Sequence, residues 1–117
     1  MLRTTRLLLA IAVSGIAFFG PIPEAQAQQK VLILEQDPNN ASTWRFEPAD
    51  ITVPAGTTVM WQWQADDEHS ATADNGAFDS GVKRGRGTTW SFKFAGPGEF
   101  PYSCTPHPFM IGTVKVT

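Results

Sequence analysis

The chain has 117 residues, a formal net charge of −2 at pH 7 and a single cysteine. This length allows one domain with or without a tail, and a small acidic chain is a poor candidate for nucleic-acid binding. A lone cysteine cannot form an internal disulfide, so in an oxidising compartment its thiol must be buried or held by a ligand.

The amino-terminal segment has the pattern of a secretory signal peptide. Two arginines precede an apolar run over residues 7–19, and the sequence AQA at residues 25–27 has the form of a signal-peptidase site. A transmembrane anchor is the alternative, but this run is shorter than the roughly 20 apolar residues that span a bilayer. We therefore expect cleavage after Ala27, a periplasmic location, and a mature chain of residues 28–117 without stable membrane insertion.

The first half of the mature chain predicts short strands between turns. An apolar run at residues 30–35 is followed by a turn and then by two strands joined by a Pro-Ala-Gly turn. In the second of these strands Val59, Trp61 and Trp63 occupy alternate positions. Because side chains alternate along a strand, these three residues are expected to share one buried face.

The second half continues the same pattern after a polar stretch. In residues 65–87 we expect loops and one or two irregular short strands, and aromatic residues then alternate along residues 90–94. Phe100, Tyr102 and Cys104 share a face of the next strand, and the last seven residues form a closing strand. Roughly seven or eight strands at intervals of about ten residues predict an all-β fold, a β-sandwich.

Soft metal ligands are concentrated in the motif CTPHPFM near the carboxyl end. Its two prolines fix φ and disfavour helix in the residues before them, so the segment is a stiff loop. Within it Cys104, His107 and Met110 have the spacings C-x2-H and H-x2-M. Thiolate, imidazole and thioether from this one loop could therefore all face a single atom.

The only other histidine is His69, in the polar stretch, and we interpret it as the remaining ligand. Two histidines and a cysteine in a trigonal arrangement, with a weak axial methionine, form the ligand set of blue-copper electron-transfer sites, whereas zinc rarely recruits a thioether. Taken singly, Cys104 would be a small core residue, Met110 packing, and His69 a surface histidine. Their conjunction predicts a metal site made of His69, Cys104, His107 and Met110.

At this point the sequence resembles a known family. The motif YSCTPHPFMIGTVKV is similar to the copper loop of the cupredoxins, the type 1 blue copper proteins, and its short spacing looks most like amicyanin. The segments FEPADITVPAGTTVMWQW and DDEHSATADNGAFDSG resemble plastocyanin and halocyanin. The resemblance covers the mature chain from about residue 30 and implies a plastocyanin-like Greek-key β-sandwich of about eight strands.

The resemblance also implies one type 1 copper per chain and a shuttle that carries single electrons by cycling between Cu(I) and Cu(II). Cys104 would supply the strong thiolate bond, His69 the inner imidazole, His107 the outer imidazole and electron port, and Met110 the axial donor. Ser70 departs from the asparagine that often follows the first histidine in this family. Its hydroxyl could still tie the two ligand segments together, but the sequence does not decide whether Ser70 takes the place of that asparagine.

Apolar residues beside His107 suggest where redox partners dock. Pro106, Pro108 and Phe109 lie on a loop that faces outward, and we interpret them as a docking ring for a c-type cytochrome, a dehydrogenase, or an oxidase or reductase, with the chain itself a monomer. Loop stiffening and local packing are the alternative explanation. Acidic residues 66–68 and basic residues 83–86 could also dock a partner, although solvated loops explain them more simply.

Two other classes of function can be weighed. Cys104 and His107 could form a nucleophile and its base, but no orienting Asn or Asp lies near them in sequence. A copper oxidase or nitrite reductase would need further copper sites, for which no histidines remain, so we expect that the chain is not an enzyme. A copper carrier or storage protein without a redox role stays as the alternative. The colour of the copper-loaded protein would distinguish an electron carrier from a copper carrier, because a Cys–Cu(II) site is intensely blue and a Cu(I) carrier is colourless.

Overall fold

The computed structural model describes residues 28–117, and the predicted signal peptide lies outside the described residues. The described part consists of ten β-strands and a short 3-10 turn at Ala41–Thr43. No helix in this range has the length and hydropathy needed to cross a membrane. The strands are β1 (Gln28–Glu35), β2 (Trp44–Glu47), β3 (Asp50–Val53), β4 (Thr58–Gln64), β5 (Glu68–His69), β6 (Thr72–Ala73), β7 (Lys83–Arg84), β8 (Thr89–Lys93), β9 (Gly98–Ser103) and β10 (Ile111–Val116).

Two four-stranded sheets form the sandwich, with strand orders β2-β1-β4-β8 and β3-β10-β9-β6. β1 pairs in parallel with β4, and β3 with β10, while the other pairs are antiparallel. The predicted all-β fold is confirmed. The strand count of ten exceeds the expected eight because residues 65–87 contribute three strands of two residues each, of which β5 and β7 pair with one another.

Six aromatic side chains are among the buried residues of the core between the sheets. Val59, Trp61 and Trp63 of β4 are fully buried, which confirms the predicted alternation. The indole of Trp61 lies edge-on to the ring of Tyr102 on the opposite sheet, with 5.5 Å between ring centroids. Such pairs add specific geometry to the burial of large apolar surfaces. Among the aromatic residues that follow, Phe94 is buried, whereas Trp90 and Phe92 are only half-buried and pack against the core from its margin.

Gly112 brings β10 and β9 into close contact near the site. A Cβ atom at this position would lie 2.6 Å from the carbonyl oxygen of Ala49 and 2.6 Å from Cζ of Tyr102, and the second of these contacts is to a buried ring. No side chain fits there unless both the backbone at Ala49 and the Tyr102 ring move. Since Cys104 follows β9 directly, this close packing helps to hold the thiol in place.

Candidate metal centre

Three segments bring the predicted ligands together. His69 ends β5, Cys104 directly follows β9, and His107 and Met110 lie on the loop between β9 and β10. His69 and Cys104 are fully buried, while His107 is half-buried and is the more accessible of the two histidines. The structure thus shows the inner and outer histidines that were expected.

Backbone hydrogen bonds explain the spacing of the ligand loop. The amide of His107 donates to the carbonyl of Cys104 at 3.1 Å, and the amide of Met110 donates to the carbonyl of His107 at 2.9 Å. Each is a bond between residues three apart, as in a β-turn. The amide of Cys104 in turn donates to the carbonyl of Met110 at 3.0 Å and closes the loop. The spacings C-x2-H and H-x2-M therefore correspond to two successive turns, one from Cys104 to His107 and one from His107 to Met110. The first and last residue of each turn point inward.

The donor atoms fit a single metal ion. Sγ of Cys104 lies 3.7 Å from Nδ1 of His69 and 3.5 Å from Nδ1 of His107, and one donor atom from each of the three residues falls within a span of 4.8 Å. Bonds of about 2.0 Å to nitrogen and 2.3 Å to sulfur place such donors about 3.5–3.7 Å apart around one ion. Met110 is 1% exposed and bonded through its backbone to both loop ligands, which makes it the fourth candidate.

Burial sets the protonation of the donors before a metal binds. Burial lowers the pKa of His69, and this outweighs a hydrogen bond to Glu35 that acts in the opposite direction. His69 is therefore a neutral imidazole near pH 7, the form that binds metals. Burial also raises the pKa of the Cys104 thiol. Because the thiolate is the ligand, metal binding must displace that proton.

Ser70 ties the two ligand segments together, which the sequence alone left undecided. Its amide donates to Sγ of Cys104 at 3.4 Å, and its hydroxyl oxygen accepts the amide of Thr105 at 2.8 Å. The same hydroxyl lies 2.8 Å from the hydroxyl of Thr72. A buried serine thus makes the connection that asparagine often makes in the resembled family.

Two residues near the site were missed by the sequence analysis, namely Glu35 and Trp44. Oε2 of Glu35 lies 2.8 Å from Nε2 of His69. Trp44 is the cross-strand partner of Glu35, and its ring stands edge-on to the imidazoles of His69 and His107 at centroid distances of 5.6 and 5.0 Å. One signal was present for Glu35, because it continues the buried alternation of Val31 and Ile33 along β1. A charged residue in phase with core residues needs a polar partner.

The charged runs of the polar stretch pair with each other. Arg84 lies 3.8 Å from Asp67 and 3.5 Å from Glu68, and Arg86 lies 3.0 Å from Asp66. All of these pairs have side chains at least 46% exposed, so each contributes little to stability. Intramolecular pairing on the surface therefore accounts for the acidic run and for both arginines of the basic run.

The three residues of the expected docking ring are all exposed. Phe109 is 52% exposed, its ring centroid is 6.0 Å from that of His107, and Pro106 and Pro108 lie on either side of that histidine. We call Pro106, Pro108 and Phe109 the apolar rim. Phe109 is therefore not part of the core, whereas loop stiffening and local packing against His107 stay as the alternative explanation.

Comparisons with known proteins agree with this geometry. Residues 34–117 match a family model described as copper binding proteins, plastocyanin/azurin family. The chain is 31% identical over 97 residues to halocyanin of Natronomonas pharaonis, a match that covers 80% of this chain and 58% of halocyanin. It is 33% identical over 79 residues to amicyanin-alpha of Methylorubrum extorquens, with coverage of 62% and 64%. The matches therefore span about three fifths of the length of these two relatives.

Solved structures share the fold. A purple cupredoxin from Nitrosopumilus maritimus superposes with a TM-score of 0.66 and 24% identity, covering 76% of this chain and 99% of that chain. The Cu(I) form of an amicyanin mutant superposes with a TM-score of 0.60 and 25% identity, covering 79% and 84%. A copper-containing nitrite reductase from Thermus scotoductus also superposes, with 23% identity, but the match covers only 25% of that enzyme.

Proposed function

The chain belongs to the plastocyanin/azurin family of copper-binding proteins, and on that basis we propose that it is a periplasmic type 1 blue copper protein that carries single electrons between redox proteins. The observation that supports this most directly is the donor cluster of His69, Cys104 and His107, with Met110 buried and joined to the last two by backbone hydrogen bonds. A thiolate, two imidazoles and a thioether form the donor set that suits copper in electron-transfer sites. Copper, when bound, supplies a one-electron couple between Cu(I) and Cu(II).

The protein's own residues keep the donors fixed while the metal charge changes. Two turns hold Cys104, His107 and Met110 on a closed loop, and Ser70 joins that loop to the segment of His69. Donors that barely move between oxidation states allow rapid transfer, since little structure rearranges. We assign Cys104 as the covalent path into the protein, His107 as the port towards the surface, and Met110 as the axial donor that tunes the potential.

We propose no enzymatic activity for this chain. Both histidines of the sequence are in the one cluster, so a second histidine-based copper site of the kind a copper oxidase requires cannot be assembled within a single chain. The similarity to a halocyanin and to an amicyanin-alpha supports this assignment.

The visible spectrum tests the proposed function. Addition of Cu(II) to purified residues 28–117 should give an intense blue colour that saturates at one copper per chain, because the thiolate donates charge to Cu(II). Reduction should bleach the colour and reoxidation should restore it. Copper binding without colour would instead support a carrier or storage protein.

We propose that the protein is exported and cleaved after Ala27. The support is the signal-peptide pattern of residues 1–27. Intact-mass measurement of protein from the periplasmic fraction should show Gln28 as the first residue. A mass that retains residues 1–27 would mean a membrane-anchored form.

The apolar rim is our proposed docking surface for redox partners such as a c-type cytochrome, a dehydrogenase, or an oxidase or reductase, with the protein acting as a monomer. An exposed apolar patch around a half-buried ligand lets a partner exclude water and approach closely. His107 is the ligand that lies nearest to the rim, with Phe109 in contact range of its ring.

A further inference from the structure

A buried carboxylate lies directly behind the inner histidine. The Glu35 side chain is 2% exposed, and three donors converge on its two oxygens. Oε1 accepts the amide of Asp66 at 3.1 Å, and Oε2 accepts the amide of Asp67 at 3.1 Å and lies 2.8 Å from Nε2 of His69. Glu35 thus joins β1 to the segment that leads into β5.

The charge of Glu35 is not cancelled by a basic side chain in residues 28–117. Arg84 lines the same surface hollow as Glu35, but its guanidinium pairs with Asp67 and Glu68. Two backbone amides donate to Glu35, one to each carboxylate oxygen, at 3.1 Å, and hydrogen bonds of this kind favour the ionised form of a carboxyl group. A buried anion therefore faces the ring of a proposed ligand.

The hydrogen bond also determines which ring nitrogen of His69 is free. An ionised carboxylate only accepts hydrogen bonds, so the Nε2 of a neutral His69 must carry the proton and Nδ1 must carry the lone pair. It is Nδ1 that faces Sγ of Cys104. Trp44, half-buried and edge-on to both imidazoles, covers this side of the site and limits access of water to it.

We propose that Glu35 is a positioning residue that selects the tautomer of His69 and, through its buried negative charge, makes the site prefer Cu(II) to Cu(I). The proposal rests on the proposed function. A carboxylate that accepts the second ring proton of a ligand histidine raises the basicity of that ligand. The more basic imidazole and the nearby anion both favour the more highly charged metal ion, so Glu35 lowers the reduction potential.

Glu35→Gln tests the charge while keeping the shape. Glutamine replaces one acceptor oxygen with an NH2 donor, which would face a backbone amide or the His69 N–H, so at least one of the three hydrogen bonds is lost. Loss of such a partner reduces metal affinity by about 10–100-fold. We expect the affinity for Cu(II) to fall about tenfold more than that for Cu(I), which corresponds to a rise in potential of about 59 mV for a one-electron couple.

Glu68→Gln is the matched control, because it makes the same chemical change one residue from His69 on an exposed side chain. Its potential should shift much less, since solvent screens exposed charges. Equal shifts in the two variants, or no shift in Glu35→Gln, would overturn the proposal. A colourless wild-type protein would instead contradict the proposed function.

A measurement on the copper-free wild-type protein does not depend on the variants. The 15N and 1H resonances of the His69 imidazole should show the proton on Nε2, with slow exchange with water. In Glu35→Gln that exchange should be at least about tenfold faster, because the hydrogen bond that retains the proton is weakened. A proton found on Nδ1 in the wild-type protein would disprove the positioning role, whatever the copper spectra show.

Discussion

Replacement of Cys104 with serine should abolish the blue colour of the copper-loaded protein. The colour requires charge transfer from a thiolate, and a serine hydroxyl stays protonated and binds copper weakly. Serine is close in size to cysteine, and its hydroxyl oxygen can accept the hydrogen bond that the Ser70 amide donates to the buried Sγ of Cys104. The fold should therefore persist. Visible absorption and a copper titration are the measurements. We expect complete loss of the band and a loss of affinity beyond the roughly 100-fold seen for residues that only support a ligand.

Met110→Leu is the control for this experiment. Leucine has a similar volume, so the buried position should stay filled at a cost of less than about 1.5 kcal/mol. This variant should keep both copper and colour, because the thiolate is still present. Its potential should rise, since an axial donor that favours Cu(II) is lost. An unchanged spectrum in Cys104→Ser, or a colourless Met110→Leu, would refute the assigned roles of these two residues.

Replacement of Phe109 with lysine should slow electron exchange while leaving the spectrum nearly unchanged. Phe109 is 52% exposed beside His107, so the substitution alters the rim and not the donor set. Exchange between oxidised and reduced copies of the protein itself is the simplest probe, measured by NMR line broadening. Two rims that meet would each carry a new positive charge, and like charges slow association. We expect a decrease of at least about tenfold at low salt, which shrinks as salt is added.

Val82→Lys provides the comparison, because Val82 is also 52% exposed and lies outside the β9–β10 loop. It makes the same change of charge without altering the rim, so its exchange rate should fall much less. If the two variants slow exchange equally, net charge and not the rim controls the rate. If Phe109→Lys changes the colour, then Phe109 supports the site by packing and the docking role is wrong.

Several features of this protein could be predicted from the sequence alone. They depend either on neighbouring residues or on a residue type for which the chain offers only one candidate. Two successive β-turns of four residues each, which share His107, set the spacing of Cys104, His107 and Met110, and turns depend mainly on neighbouring residues. His69 was identified because the chain has no other histidine outside that loop. The alternation of β4 also needs only the two-residue period of a strand, and its burial followed the prediction.

Other features were decided only by the tertiary structure, because they depend on which distant segments pair. The parallel pairing of β1 with β4 places Leu34 opposite Gln64, so the next residue, Glu35, lies close to the segment that leads to His69. His69 is 34 residues further along the chain than Glu35. The register of β1 with β2 places Trp44 opposite Glu35 and against both imidazoles. Neither the composition of the chain nor the spacing of its residues predicts which strands pair or in what register. The four proposed ligands can therefore be identified from the sequence. The buried groups that surround them can be identified only from the packed sheets, because these contacts depend on which strands pair.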